Sequence, residues 1–334
     1  GMRCAYIAFT ARGLALAQRL TAACPGSVAR CGAGGVTLEA WTQEQFAAAD
    51  ALVFVGAVGI AVRAIAPCCR SKAADPAVVV LDEGGQFAIP LLSGHLGGAN
   101  ELARRLAAVC RAVPVITTAT DGRGLFAVDE WARCHRFAVA EPERIKTVSS
   151  ALLAGQTVHY ASDWAIAGPP PAGVCPACDG DEADFALTLT PAGRALHLIP
   201  RIAVLGVGCR RGISEQRLAE AFRAFCAETH FAAQGVCRVA SINLKKNEAG
   251  LAAFCLANGW RMDFYTAEQL RAVSGRFTPS PFVQSVTGVD NVCERAAVLA
   301  SGGVLYLPKW ARDGVTFAVA VPSFSPDWRW RNEP

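Results

Sequence analysis

The sequence predicts an α/β protein: two α/β domains with mostly parallel sheets, joined by a less regular central region. Three observations predict it. Short apolar runs of strand length alternate with helical patterns through residues 1–122, and the alternation returns over 201–334. Between them, 123–200 is broken by Pro, Gly and acidic residues. A chain of 334 residues with 52% hydrophobic content suits two cores rather than one, at roughly 100–200 residues per domain.

In the first part, CAYIAF (4–9) is a strand before a helix from about Gly13 to Ala23. ALVFVGAVG (51–59) precedes IAVRAIAP, and AVVVLDE (77–83) and FAIPLL (87–92) precede a helix over 98–110. On that helix Ala99, Leu102, Ala103, Leu106, Val109 and Cys110 recur at helical spacing. VPVITTAT (113–120) closes the series. The middle holds a helix over Glu143 to Gly155, a strand TVHYASD (157–163) and the turn-rich loop GPPPAGVCPACDGDEAD (168–184). The last part opens on the strand IAVLGVGC (202–209) and a helix capped by Ser214, with Leu218, Ala221, Phe222, Phe225 and Cys226 on one face. CRVASI (237–242), a helix from Ala249 to Asn258, RMDFYTA (261–267) and a helix from Asn291 to Ala300 follow. Two closing strands pair as a hairpin turning at Arg312-Asp313-Gly314.

Composition narrows the function. The net charge of +4 is spread along the chain, with Arg210-Arg211 and Lys245-Lys246 as pairs rather than a basic stripe. That fits a small anionic ligand and argues against nucleic acid as a partner. No apolar run approaches the roughly 20 residues of a membrane helix, and no signal segment follows Gly1-Met2, so we expect no membrane association and a cytoplasmic chain. Most of the 14 cysteines sit singly in apolar surroundings, as small hydrophobes do. Cys175-Pro176-Ala177-Cys178 is a lone pair in a loop, and we expect no metal there.

Four segments carry candidate chemistry. Gly206-Val207-Gly208-Cys209-Arg210-Arg211-Gly212 joins a strand to a helix, but Arg211 stands where a dinucleotide fingerprint needs its third glycine, and Asn243 and Lys245 stand where the ribose acid would be. An anion site fits better, with Gly206 and Gly208 letting backbone N–H groups approach a ligand and Arg210 and Arg211 clamping carboxylates. Solvated arginines on a tight turn are the plain alternative. Second, Ser93-Gly94-His95-Leu96-Gly97-Gly98-Ala99-Asn100 follows a strand end, where open α/β sheets bind ligands; His95 has the pKa range of a general acid or base. Third, Thr117-Thr118-Ala119-Thr120-Asp121-Gly122 offers hydroxyls and one carboxylate, although Asp121 would serve equally as a helix cap. Fourth, Lys245, Lys246 and Glu248 follow a strand: a lysine can stabilise an oxyanion, and Glu248 can act as base or complement a helix dipole.

Taken together these segments resemble the CbiG family. LVFVGAVGIAVRAIAP (52–67), DPAVVVLDEGGQFAIPLLSGHLGGANELARRLA (75–107) and PVITTATDGRG (114–124) look like its amino-terminal domain. GVGCRRG (206–212), ASINLKKNEAGL (240–251), 288–300 and LYLPKW…GVTFAVA look like its carboxy-terminal domain, while 125–200 is similar only loosely. The resemblance implies a cobalt-precorrin-5A hydrolase of anaerobic cobalamin synthesis, which opens a δ-lactone and releases acetaldehyde. It also implies that cobalt arrives inside the substrate, so no cofactor or metal of the protein's own is expected.

From residue type and placement, His95 or Glu248 would activate water, and Lys245 with backbone amides near Gly97 and Gly98 would polarise the carbonyl. Arg210, Arg211 and Lys246 would meet the acetate and propionate arms. Gly94, Asn100, Thr118 and Asp121 complete the expected pocket, placed between the strand ends carrying Gly94–Asn100 and Gly206–Gly212. A homodimer or transient contact with other enzymes of the pathway is compatible with the sequence. Two readings compete: a corrinoid-handover protein without chemistry, and a precorrin methyltransferase, for which the arginine-crowded turn offers no cofactor pocket.

Overall fold

The computed structural model describes residues 1–94, 96–119, 124–178 and 182–331. It is an α/β protein with three mixed, mostly parallel sheets. The first has strand order β2-β1-β3-β4-β5-β6 and contains β1 (Cys4–Ala8), β2 (Gly26–Arg30), β3 (Ala51–Val55), β4 (Ala77–Leu81), β5 (Phe87–Leu92) and β6 (Val113–Pro114). β1, β3 and β4 are buried throughout, as their unbroken apolar runs require of strands covered on both faces. Helices α1 (Ala11–Leu20) and α4 (Ala99–Cys110) cover one face; α2 (Leu38–Ala48) and α3 (Val58–Ile65) cover the other.

One pairing decides where the first candidate loop emerges. β5 runs antiparallel to β4, whereas the other neighbours in this sheet are parallel. The Ser93–Gly98 loop therefore leaves at the edge where β4 begins, and Ser93 Oγ donates to the Asp75 carbonyl there at 3.0 Å. The loop does follow a strand end, but at the opposite edge from the carboxyl ends of β1, β3 and β4.

The middle is more ordered than its sequence suggests. α5 (Val128–His135) and α6 (Ile145–Leu153) pack on a five-stranded sheet of order β7-β11-β10-β8-β9. Its strands are β7 (Ala138–Val139), β8 (Val158–Ser162), β9 (Val174–Pro176), β10 (Phe185–Leu187) and β11 (Leu196–Ile199). Its core includes Phe126, Trp131, Phe185 and Leu198, and the chain's end returns to complete it. Trp328 stacks on Trp131 at 5.1 Å, and Trp131 Nε1 donates to the Asp327 carbonyl at 2.7 Å.

The third sheet has order β14-β13-β12-β16-β15, with β12 (Ala203–Cys209), β13 (Val236–Ile242), β14 (Arg261–Tyr265), β15 (Val304–Arg312) and β16 (Val315–Val321). β12, β13 and β14 are parallel, and β15–β16 is the expected hairpin. α7 (Glu215–Thr229) and α8 (Ala249–Asn258) pack one face with Leu218, Phe222, Phe225 and Phe254. α9 (Ala267–Arg271), α10 (Pro281–Thr287) and α11 (Cys293–Ser301) lie towards the other, where Leu270, Val289 and Ala296 are buried. Among the described residues no helix is long and apolar enough to cross a membrane, and no cluster of three metal-ligating side chains occurs.

Candidate functional site

Parallel β12 and β13 end side by side, which sets the 210–213 turn against the 243–248 loop. Glu248 ties the two together. Its Oε2 accepts the Gly212 N–H at 3.0 Å, and its Oε1 lies 3.7 Å from Lys245 Nζ. Both side chains are only 13% exposed, so the pair is shielded from bulk water. α8 presses on the same turn: a Cβ on Gly250 would stand 2.0 Å from the Ile213 carbonyl oxygen, which only glycine permits.

These elements enclose a cavity of about 710 Å³, lined by Arg211, Gly212, Leu244, Lys245, Glu248 and Val286 among others. That volume is within the usual range for small-molecule sites. One member of each basic pair lines it. Arg210 instead packs on the hairpin turn, its N–H donating to the Gly314 carbonyl at 3.0 Å, and Lys246 is exposed outside the lining. Gly206 and Gly208 also lie outside the lining. A Cβ on Gly206 would stand 1.8 Å from the Cys293 carbonyl oxygen of α11, and one on Gly208 2.4 Å from Thr316 Oγ1 on β16. Close packing of a helix on the sheet accounts for Gly206, and close packing between neighbouring strands accounts for Gly208. Next to this turn, burial pushes the Cys209 thiol up to about 11, against the opposing effect of Lys245, so it is protonated at neutral pH and a poor nucleophile.

The second group of candidates is held in the first sheet. Asn100 is 1% exposed, takes the Gly94 carbonyl with its N–H at 2.9 Å, and donates from Nδ2 to Thr118 Oγ1 at 3.1 Å. Gly97 packs on Ser93, and Gly98 takes a left-handed φ of 85° as the N-cap of α4. Leu96 packs against the aromatic core of the central unit, and Gly98 abuts Arg133 of α5. Gly94, Asn100 and Thr118 are therefore brought together, with Gly97 and Gly98 in the same loop. His95 and Asp121 lie outside the described residues. The cavity at Arg211 and Glu248 is lined by residues 211–286 alone.

Sequence reasoning missed the apolar rim. Leu244 is 60% exposed, Val286 64% and Phe282 77%. The available signal was Leu244 between Asn243 and Lys245, an apolar side chain in an otherwise polar loop. It also missed a second cavity of about 890 Å³ where His135 meets Trp328 and Trp330 of the returning chain end.

Fold and site define a multi-domain α/β protein with an open cavity in its last unit, lined by Arg211, Lys245 and Glu248. Residues 40–121 match the family described as Cobalamin synthesis G N-terminal, and 203–320 match Cobalamin synthesis G C-terminus. The chain is 35% identical over an alignment of 348 residues to the cobalt-precorrin-5A hydrolase of Salmonella typhimurium, covering 95% of this chain and 97% of that protein. It is 32% identical over 292 residues to the cobalt-precorrin-5A hydrolase of Priestia megaterium, covering 81% and 78%. A solved structure of a cobalamin biosynthesis protein G homologue from Sulfolobus solfataricus aligns over 96% of this chain and 97% of its own, at 21% identity and a TM-score of 0.41. The chain belongs to the CbiG family.

Proposed function

We propose that this chain hydrolyses cobalt-precorrin-5A, opening its δ-lactone and releasing acetaldehyde to give cobalt-precorrin-5B. The observation that carries this reading is the 35% identity to the Salmonella typhimurium hydrolase, which runs through both matched domains. The cavity of the last unit supports it, because a substrate with many carboxylate arms suits Arg211 and Lys245.

The chemistry has two stages. Water adds to the lactone carbonyl, and collapse of the tetrahedral intermediate leaves a carboxylate and a free hydroxyl. Removing the proton from that hydroxyl then breaks the adjacent carbon–carbon bond. Acetaldehyde leaves, and the bonding electron pair passes to the macrocycle, whose own cobalt accommodates the charge. The first stage needs a base and an oxyanion donor. Glu248, oriented by Gly212 and Lys245, and His95 are our candidates for the base; Lys245 is our candidate donor. Arg211 would bind an arm of the substrate. Gly94, Gly97, Gly98, Asn100, Thr118 and Asp121 would form the second part of the site. No cofactor is proposed beyond the cobalt in the substrate.

The test is acetaldehyde release by purified protein given cobalt-precorrin-5A with no second enzyme. Release supports a hydrolase; binding without release turns the reading into intermediate handover. In the same assay, near-normal release by His95→Ala removes His95 from the mechanism.

A further inference from the structure

α10 carries an exposed apolar face beside the cavity lined by Arg211 and Lys245. Its inner side is anchored, since Val283 packs against the core around Leu270 and Val292. Its outer side presents Phe282 and Val286, four residues apart and therefore on one face. Val286 lines the cavity together with Leu244 from the neighbouring loop, and Phe282 extends the same face one turn further. Single exposed apolar side chains are ordinary, but two lining one cavity, with a third on the same helix face as one of them, are not. Arg211 and Lys245 line the same cavity. Apolar and cationic side chains thus share one cavity, a combination that complements a flat conjugated ring fringed with carboxylates.

We propose that Leu244, Phe282 and Val286 form an apolar platform for the face of a carboxylate-bearing tetrapyrrole, with Arg211 holding an arm at the ring edge. The platform makes these three residues determinants of substrate affinity. The inference rests on the proposed reaction for the identity of the substrate, and on the shared apolar and cationic lining for the mode of binding.

The experiment compares wild type, the double variant Phe282→Ser/Val286→Ser and the double variant Phe282→Leu/Val286→Leu. Acetaldehyde release from cobalt-precorrin-5A supplies KM and kcat separately, and thermal unfolding checks the fold. The serine variant is expected to raise KM about tenfold, equivalent to about 1.4 kcal/mol. Its kcat and Tm should stay near wild type, and the leucine variant should restore KM. An unchanged KM in the serine variant, or a leucine variant as impaired as the serine one, overturns the platform. Absence of acetaldehyde from wild type would count against the proposed reaction alone. The platform is then read by absorbance titration with uroporphyrin III, a flat ring with acetate and propionate arms. About tenfold weaker binding by the serine variant supports it; equal binding, or none by wild type, overturns it. A wild-type dimer that the serine variant splits, with unchanged affinity, also overturns it and makes the face an interface between two copies.

Discussion

Lys245 Nζ lies 3.7 Å from Glu248 Oε1 while the other carboxylate oxygen accepts the Gly212 N–H, so one side chain joins the ends of two parallel strands and faces a cavity. The arrangement serves two roles, structural strap and general base, and two substitutions separate them. Glu248→Gln keeps an acceptor for Gly212 but removes the base. If Glu248 activates water, kcat falls by about 10²–10⁴-fold with Tm preserved. Glu248→Ala removes the strap as well, and Tm should then fall by the equivalent of about 1–2 kcal/mol. Near-normal kcat in Glu248→Gln leaves the residue as a strap only. Steady-state kinetics and thermal unfolding on both variants decide it.

The two adjacent arginines should behave differently. Arg211 lines the cavity, whereas Arg210 is turned onto the Gly314 hairpin. Arg211→Ala is expected to raise KM for cobalt-precorrin-5A by about tenfold, the loss of one charge-assisted contact. Arg210→Ala should leave KM within about twofold, because its backbone bond to Gly314 survives the substitution. Equal effects from the two variants would contradict the orientation of the turn.

The glycines of the same segment give a folding test. Gly206→Ala drives a methyl into the Cys293 backbone, which cannot move without shifting α11, so a loss of about 3 kcal/mol or more is expected. Gly208→Ala meets only the side-chain hydroxyl of Thr316. Its smaller loss should be relieved by adding Thr316→Ala, a coupling that a double-mutant cycle in urea unfolding measures. Additive losses would show that the close approach of Gly208 and Thr316 does not govern stability.

This contrast also explains what could be read from the sequence. The buried strands β1, β3, β4 and β12 and the faces of α4 and α7 were legible because each is a local pattern of adequate length. Arg211, Lys245 and Glu248 each follow the end of an apolar run, but that their two loops meet depends on the pairing of β12 with β13, which neither run encodes. The reason for Gly206 was not legible, because it lies in the Cys293 carbonyl of a helix nearly 90 residues away. The central sheet was hidden for a related reason. β10 and β11 have 3 and 4 residues, too short for periodicity, and part of their core is Trp328 from the far end of the chain. The antiparallel direction of β5 is a pairing choice that the apolar run FAIPLL does not encode.

A buried polar pair in the central unit predicts a stability effect remote from the cavity around Arg211. His197 is 3% exposed; its Nδ1 lies 2.6 Å from Glu141 Oε2 and its Nε2 2.9 Å from the Ala192 carbonyl. Glu141 Oε1 also accepts the His197 N–H at 2.9 Å. His197→Ala leaves the Ala192 carbonyl without its side-chain partner and takes one contact from Glu141, which keeps Arg144 at 3.1 Å and the backbone N–H of residue 197, at a cost of about 1–2 kcal/mol. The kcat of acetaldehyde release should be unchanged at a temperature where the variant is folded. A Tm equal to wild type would refute the structural role of the pair.

Buried thiols predict alkaline instability with a definite sign. Burial pushes Cys255, which is 1% exposed and packed with Leu251 and Phe254, up to about 12 from 9.0. The folded chain thus keeps this proton over a range where the unfolded chain has lost it. The thiol's contribution is fully present below about pH 9 and declines as pH rises towards 12, with a slope approaching 1.4 kcal/mol per pH unit. Cys226 is pushed up to about 12 by the same cause and should add to the slope. Urea unfolding at about pH 8, 9.5 and 10.5 should show a plateau followed by a fall, and Cys255→Ala should flatten the fall without abolishing it. The variant pays for this near neutral pH only through the small volume of the lost sulfur, so its stability curve should cross that of wild type on the alkaline side. Parallel curves for the two proteins would mean that Cys255 ionises in the folded state as readily as in the unfolded one.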